Sequence, residues 1–281
     1  MDRKIKLAIS TCPNDTFAFH GLLTNRVDTR GLDFSIELLD IQQLNDGLFA
    51  GKFDVAKASF HAALLLAGDT VVLPSGSALG FGVGPLLLAA ETETCPATLG
   101  NSLTLCPGTH TTATMLFRLF YGDQPQVEHR IFSEIMPDLI KRRADFGVCI
   151  HEGRFTWQEQ GLFLVEDLGT RWEAATQTPL PLGGILASRK LELATIATVQ
   201  AIIKDSLKIA LADPESALPT MRQHAQEFDD EVLMKHVQLY VNDWTVDLGP
   251  TGEAALKELS RRARSVGLIQ QNAAEIQLFK A

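Results

Sequence analysis

Apolar and polar positions alternate over Lys4–Ser10, and the stretch ends in Cys12-Pro13-Asn14-Asp15-Thr16. This predicts a strand running into a helix N-terminus, with Asn14, Asp15 or Thr16 as the cap. A second strand is predicted over Phe34–Leu39, followed by a helix over Ile41–Ala50. Phe53–Ser59 reads as a short third strand and His61–Ala67 as a helix. Short strands alternating with helices predict a mainly parallel sheet covered on both faces.

The pattern then restarts. Pro85–Ala90 has the character of a buried strand, and a polar stretch, Glu91–Asn101, follows it. Beyond lie a predicted strand Ser102–Leu105, a turn Cys106-Pro107-Gly108 and a helix over Thr111–Phe120. Arg130–Phe132 is predicted as a strand, Ile135–Arg143 as a helix and Asp145–Ile150 as a strand. Gly183–Ser188 shares the small, apolar character of Leu86–Ala90, so the two read as a pair of crossovers. On that reading residues 91–186 are a small inserted lobe, and 1–90 with 187–281 form a larger, discontinuous α/β lobe. The remainder reads as helical over Val199–Leu211, Pro214–Gln226, Asp230–Leu239 and Gly252–Val266, with Tyr240–Thr251 as a loop. Phe53-Asp54-Val55-Ala56 and Ala144-Asp145-Phe146-Gly147-Val148 each carry an Asp at the entry to an apolar strand, as two lobes of one βαβ plan would. The expected fold is α/β and two-lobed, like the type II periplasmic binding proteins with their double-crossing hinge, by analogy of architecture.

Composition narrows the function. The 281 residues are 46% hydrophobic and 21% charged, which excludes disordered and collagen-like classes. A formal net charge of −9 argues against a nucleic-acid partner, and it requires any bound anion to be held by local donors. The apolar part of the N-terminus is too short for a signal-peptide core. The longest apolar stretch, Leu79–Ala90, contains three glycines and Pro85 and cannot span a bilayer, so a cytoplasmic protein without a membrane partner is expected. Cys12, Cys95, Cys106 and Cys149 form no C-x-x-C pair and are expected reduced. The histidines show no ligand spacing, so no metal is expected.

In open parallel sheets, ligands bind at the carboxyl ends of the strands. Four such ends carry candidate chemistry. Ser10–Thr16, with Asn14, offers hydroxyl, amide and free N–H groups, as does any capped helix start. Lys57-Ala58-Ser59 offers an ammonium and a hydroxyl to a carboxylate; an exposed lysine and a capping serine are the ordinary alternative. Gly108-Thr109-His110-Thr111-Thr112 presents hydroxyls and N–H groups at a helix start, where Thr111 can equally be the cap. It lacks the Gly-Lys-Ser/Thr ending of a phosphate-binding P-loop. The apolar strand ending at Ile150 leads into His151, which strand alternation turns to the opposite side from Glu152. Histidine is the natural base near neutral pH, yet a strand-end histidine taken alone is more commonly structural. No G-x-S-x-G, H-E-x-x-H or G-x-G-x-x-G is present.

Taken together, the motifs resemble the 1,4-dihydroxy-6-naphthoate synthase family of the futalosine route to menaquinone. The likeness rests on Cys12–Phe17, Phe53–Ser59, Gly108–Ala113, Ile150–Thr156, Pro181–Gly184 and Tyr240-Val241-Asn242, and so covers nearly the whole chain. Thr11 departs from the proline expected before Cys12. The resemblance implies a cytoplasmic carbon–carbon lyase acting on cyclic dehypoxanthine futalosine, with no metal or organic cofactor. It implies His151 as general base, and Lys57, Ala58, Ser59, Thr111, Thr112 and Asn14 as binders of a small carboxylate substrate. The alternatives are a chorismate dehydratase of the same pathway and fold, and a non-catalytic cytosolic protein that binds a small anion.

Overall fold

The computed structural model describes residues 4–92, 102–123, 125–151, 153–225 and 229–280. The chain first lays down β1 (Ile5–Ser10), β2 (Phe34–Leu39), β3 (Val55–Ser59), β4 (Thr70–Val72) and β5 (Ala78–Gly80). It then builds a second sheet from β6 (Leu86–Ala89), β7 (Leu103–Cys106), β8 (Gln126–His129), β9 (Phe146–Cys149) and β10 (Phe163–Asp167). Finally it returns to the first sheet as β11 (Leu180–Ser188).

The two sheets share one plan. In the first, β1 lies between β2 and β3, both parallel to it, and β11 runs antiparallel beside β3. In the second, β7 lies between parallel β8 and β9, and β6 runs antiparallel beside β9. The orders are β2-β1-β3-β11-β4, with β5 also on β11, and β10-β6-β9-β7-β8. The buried, apolar runs of β1 and β3 suit strands covered on both faces. The Asp at each strand entry has a common cause. Asp54 exchanges two bonds with Lys6: its backbone N–H donates to the Lys6 carbonyl, and its carboxylate accepts the Lys6 N–H. Asp145 does the same with Leu103.

Several elements differ from the sequence pattern. Leu86–Ala89 pairs with β9 and β10 in the second sheet, so it lies apart from the first-lobe strands with which the pattern grouped it. The predicted strand Arg130–Phe132 is displaced: the ladder with β7 ends at His129, the Arg130 N–H closes it on the Cys106 carbonyl, and Phe132 opens a helix Phe132–Ile140. The predicted loop Tyr240–Thr251 contains a short helix, Asp243–Val246. Asn242 caps it by accepting from the Trp244 N–H, and the next helix begins at Gly249. β10 and the helix Leu168–Thr176, capped by the Asp167 carboxylate, were not predicted. Most of Glu91–Asn101, together with Cys95, Glu152 and Gln226, lies outside the described residues.

The largest apolar core runs through both sheets, from Ala8, Leu44 and Phe60 to Leu87, Phe117 and Trp172. A second covers the other face of the first sheet with the helix Leu193–Ala212. Among the described residues no helix is long and apolar enough to cross a membrane.

Candidate active site

A cavity of about 670 Å3, its mouth included, opens where the two sheets meet. The end of β1 contributes Ser10, the short helix Pro13–Ala18 with its N-cap contributes Cys12, Asn14 and Asp15, and β3 contributes Lys57 and Ser59. Thr111, Thr112, Ile150 and His151 come from the second half, and Leu182 and Gly183 from β11. His236 and Tyr240, on the helix Asp230–Tyr240, complete the wall.

His151 follows β9, which ends two residues earlier at Cys149. Its direction is therefore set by a turn, where its φ of +55° is left-handed, and not by strand alternation. Such a conformation is costly for a residue with a Cβ and persists only when its surroundings hold it. Here Arg154 supplies the hold. Its N–H donates to the His151 carbonyl, and its guanidinium bonds the Gly84 carbonyl (2.5 Å) and the Asp167 carboxylate (2.7 Å). The Phe132 ring meets the imidazole edge-on, with centroids 4.7 Å apart. The Cys12 thiol lies 3.2 Å from Nδ1 and 3.6 Å from Nε2. His151 lines the cavity, and burial, with the nearby Lys57 charge second, lowers its pKa to about 4. At neutral pH it is an uncharged imidazole with a lone pair, the form a general base requires.

Lys57 and Asp15 form a buried ion pair, Nζ to Oδ1 2.6 Å, with both side chains almost wholly enclosed. Lys57 also donates to the Gly76 carbonyl. Asn14 extends the network: its Nδ2 donates to Asp15 Oδ1 (2.9 Å), and its Oδ1 faces His236 Nε2 (3.0 Å). Ser59 is anchored by Asn45, which accepts its N–H and donates to its hydroxyl. Ala58, between them, turns to the opposite side of β3 and packs in the apolar core, so its side chain is absent from the lining. A side chain on Gly183 would collide with the Ala58 carbonyl at 2.6 Å, which accounts for a glycine opposite Ser59.

The Thr111 hydroxyl is engaged as a helix cap: it accepts from the Thr114 N–H and donates to the Gly108 carbonyl. The Thr112 hydroxyl reaches across to the first sheet and donates to the Leu182 carbonyl at 2.5 Å. What that helix start still offers a ligand is the backbone N–H groups of its first turn. Cys149 lies in the core of the second sheet, away from the cavity, and burial pushes its thiol pKa up. His236 and Tyr240 escaped sequence reasoning. The one available hint was the Tyr240-Val241-Asn242 motif at the end of their helix.

Comparison with known proteins adds a separate line of observation. Residues 5–265 match the family described as menaquinone biosynthesis. A 1,4-dihydroxy-6-naphthoate synthase of Streptomyces coelicolor is 38% identical over 271 residues, covering 94% of both chains. One from Thermus thermophilus is 40% identical over 265 residues, 94% of this chain and 95% of that one. Among solved structures, a protein of Archaeoglobus fulgidus superposes with a TM-score of 0.89 at 30% identity, covering 95% of this chain and 98% of its own. The ligand-binding component of an ABC-type import system from Staphylococcus aureus does so with a TM-score of 0.73 at 12% identity, covering 99% and 97%. The alkanesulfonate-binding protein of Xanthomonas axonopodis pv. citri gives 0.70 at 11% identity, covering 98% of each chain. These last two share the fold alone, and it is the periplasmic-binding-protein architecture expected from the sequence.

Proposed function

From the membership of this chain in the menaquinone biosynthesis family, as a relative of its 1,4-dihydroxy-6-naphthoate synthases, we propose that it catalyses the lyase step converting cyclic dehypoxanthine futalosine to 1,4-dihydroxy-6-naphthoate. On this reading the cavity is the active site and His151 the general base. The observation that carries it is an imidazole kept neutral by burial, held in a strained turn and aimed into a cavity between two sheets. His151 removes a proton to start ring opening, a retro-aldol-type carbon–carbon cleavage then releases the naphthoate and a small sugar-derived fragment, and aromatisation of the new ring drives the step.

The substrate carboxylate is bound by the Ser59 hydroxyl and the first-turn N–H groups at Thr112, with Thr111 setting that turn. Lys57 and Asn14 hold the facing wall. Ala58 contributes backbone only. The lobes formed by residues 1–90 with 187–281 and by 91–186, with the first boundary moved ahead of Leu86 and the second ahead of Leu180, close over the ligand and exclude water. The protein works in the cytoplasm.

Incubation with cyclic dehypoxanthine futalosine, with chorismate in parallel, followed by product mass, tests the reaction. Formation of the naphthoate supports it; turnover of chorismate alone, or stoichiometric binding without turnover, overturns it. His151→Ala is expected to lose roughly 10²–10⁴-fold in kcat while retaining substrate affinity. A variant with native turnover would remove His151 from the base's role.

A further inference from the structure

A second imidazole shares the cavity, and its protonation can be deduced from its neighbours. Asp15 Oδ1 accepts from both Lys57 and Asn14, so the Asn14 amide must turn its Nδ2 towards Asp15. Its Oδ1 is thereby left facing His236, and an oxygen in that place can only accept. His236 Nε2 therefore carries the proton and donates across 3.0 Å. The ring is 1% exposed, and burial followed by the neighbouring His151 and Lys57 keeps its pKa well below the ordinary value. A neutral ring protonated at Nε2 has its lone pair on Nδ1, and Nδ1 has no hydrogen-bond partner among the described residues. Leaving a buried acceptor unmet is costly, and this one stands on a ring that lines the cavity. The ring lines the cavity, lies nearly parallel to His151 (14°, centroids 6.3 Å apart) and rests on Tyr240 (4.5 Å).

We propose that His236 contacts the substrate directly: Nδ1 accepts a hydrogen bond from a substrate hydroxyl, in a tautomer fixed by the chain Lys57–Asp15–Asn14. This rests on the reading of the cavity as the active site. It makes the site selective for a hydroxylated ligand, because an analogue lacking the hydroxyl leaves the acceptor unmet on binding. The wall thus carries a lone pair on each of two neighbouring rings, one assigned to the base and one to orientation.

Two substitutions separate this role from a structural one. Gln places its amide donor where Nε2 stands and so keeps the link to Asn14, but it has no acceptor at Nδ1. Asn places an amide oxygen near Nδ1 and gives up the link. His236→Gln is expected to fold with a near-native Tm and to lose about 10-fold or more in kcat/KM, the worth of one hydrogen bond. His236→Asn is expected to recover part of the loss. A purely structural residue would give the opposite order, and that order, or a native kcat/KM in His236→Gln, overturns the proposal. ¹⁵N-histidine NMR, with the His236 signal assigned by its absence from the Gln variant, should show the Nε2–H tautomer unchanged between about pH 5 and 8. The other tautomer, or a titration in that range, overturns it. If the wild-type protein fails to turn over cyclic dehypoxanthine futalosine, the reaction is at fault, and His236 is judged by titration with 1,4-dihydroxy-6-naphthoate. Movement of the Nδ1 resonance supports the contact; an unmoved resonance at saturation refutes it.

Discussion

Burial has already moved the titrations that matter out of the neutral range. With His151 at a pKa of about 4, the proposed base is unprotonated over the whole range in which an ordinary histidine switches. The kcat/KM profile is therefore expected to rise around pH 4 and run flat through neutrality; a rising limb near 6.5 would show that the base titrates as an exposed imidazole. The same shift couples to stability. His61, also at about 4, and His151 take up fewer protons in the folded state than in the unfolded chain between pH 4 and 6.5. Stability must then fall as pH drops through that window, by up to about 3 kcal/mol for each group. Urea unfolding from pH 7 to 4 should follow this course, with a shallower fall in His61→Asn. At Lys57 the buried pair predicts a loss of about 3–5 kcal/mol for Lys57→Met, since Asp15 would keep its enclosed charge without a partner. Denaturant titration checks it, and a loss below 1 kcal/mol would show that Asp15 simply takes up a proton.

His151 was legible because an apolar run ended abruptly at it. The left-handed turn that aims it was not, since it depends on Arg154 meeting Gly84 and Asp167 from distant parts of the chain. His236 had only the nearby Tyr240-Val241-Asn242 motif to point to it, because its partner Asn14 stands 222 positions away.

At the scale of elements, the matched aspartates were visible as a short internal likeness, and the sheets give its physical reason. Each carboxylate staples the entry of the third strand to the start of the first. The two staples differ in setting, Asp54 being buried and Asp145 exposed. Asp54→Ala is expected to cost about 1–3 kcal/mol and Asp145→Ala less than about 1 kcal/mol, because the first carboxylate's hydrogen bond is partly buried and the second's is exposed. Equal costs in chemical denaturation would dissociate the likeness from its burial. The errors in reading elements have a common origin. β8 is an edge strand whose alternation, Gln126-Val127-Glu128-His129, is weak, and the register with β7 fixed its end. β10 likewise gains its identity from pairing with β6, a strand from the other side of the insertion. Where the ladder partner is remote, periodicity had nothing to register.

At the scale of the whole molecule, the segment that leads into the second sheet and the helix that follows its last strand touch backbone to backbone, just beyond the pairing of β6 with β10. A Cβ on Gly84 would stand 2.2 Å from the Gly169 Cα, and one on Gly169 would stand 2.6 Å from that of Gly84. Gly84 and Pro85 also line the cavity, and Arg154, beside His151, holds the Gly84 carbonyl. Gly84→Ala must push two main chains apart, and an expected cost of about 1–3 kcal/mol should appear as a lowered Tm together with reduced turnover. A native Tm with native activity would mean that the contact is slack. The α/β class and the paired halves were readable from the alternation of elements, whereas this contact depends on two glycines 85 positions apart, Gly84 and Gly169.

The return of β11 has a consequence for how the chain is made. All strands of the second sheet lie between Leu86 and Asp167, whereas the first sheet needs β11, Leu180–Ser188, between β3 and β4. Emerging from the ribosome, the later-encoded sheet has every strand it needs before the earlier one does. The N-terminal strands must wait, with the β3 edge open, until residue 188 has cleared the exit tunnel. Nascent chains halted at lengths where Asp167 has cleared the tunnel but Leu180 has not should protect the second sheet from proteolysis and leave β1–β3 cleavable. This inverts the order in which the gene spells them.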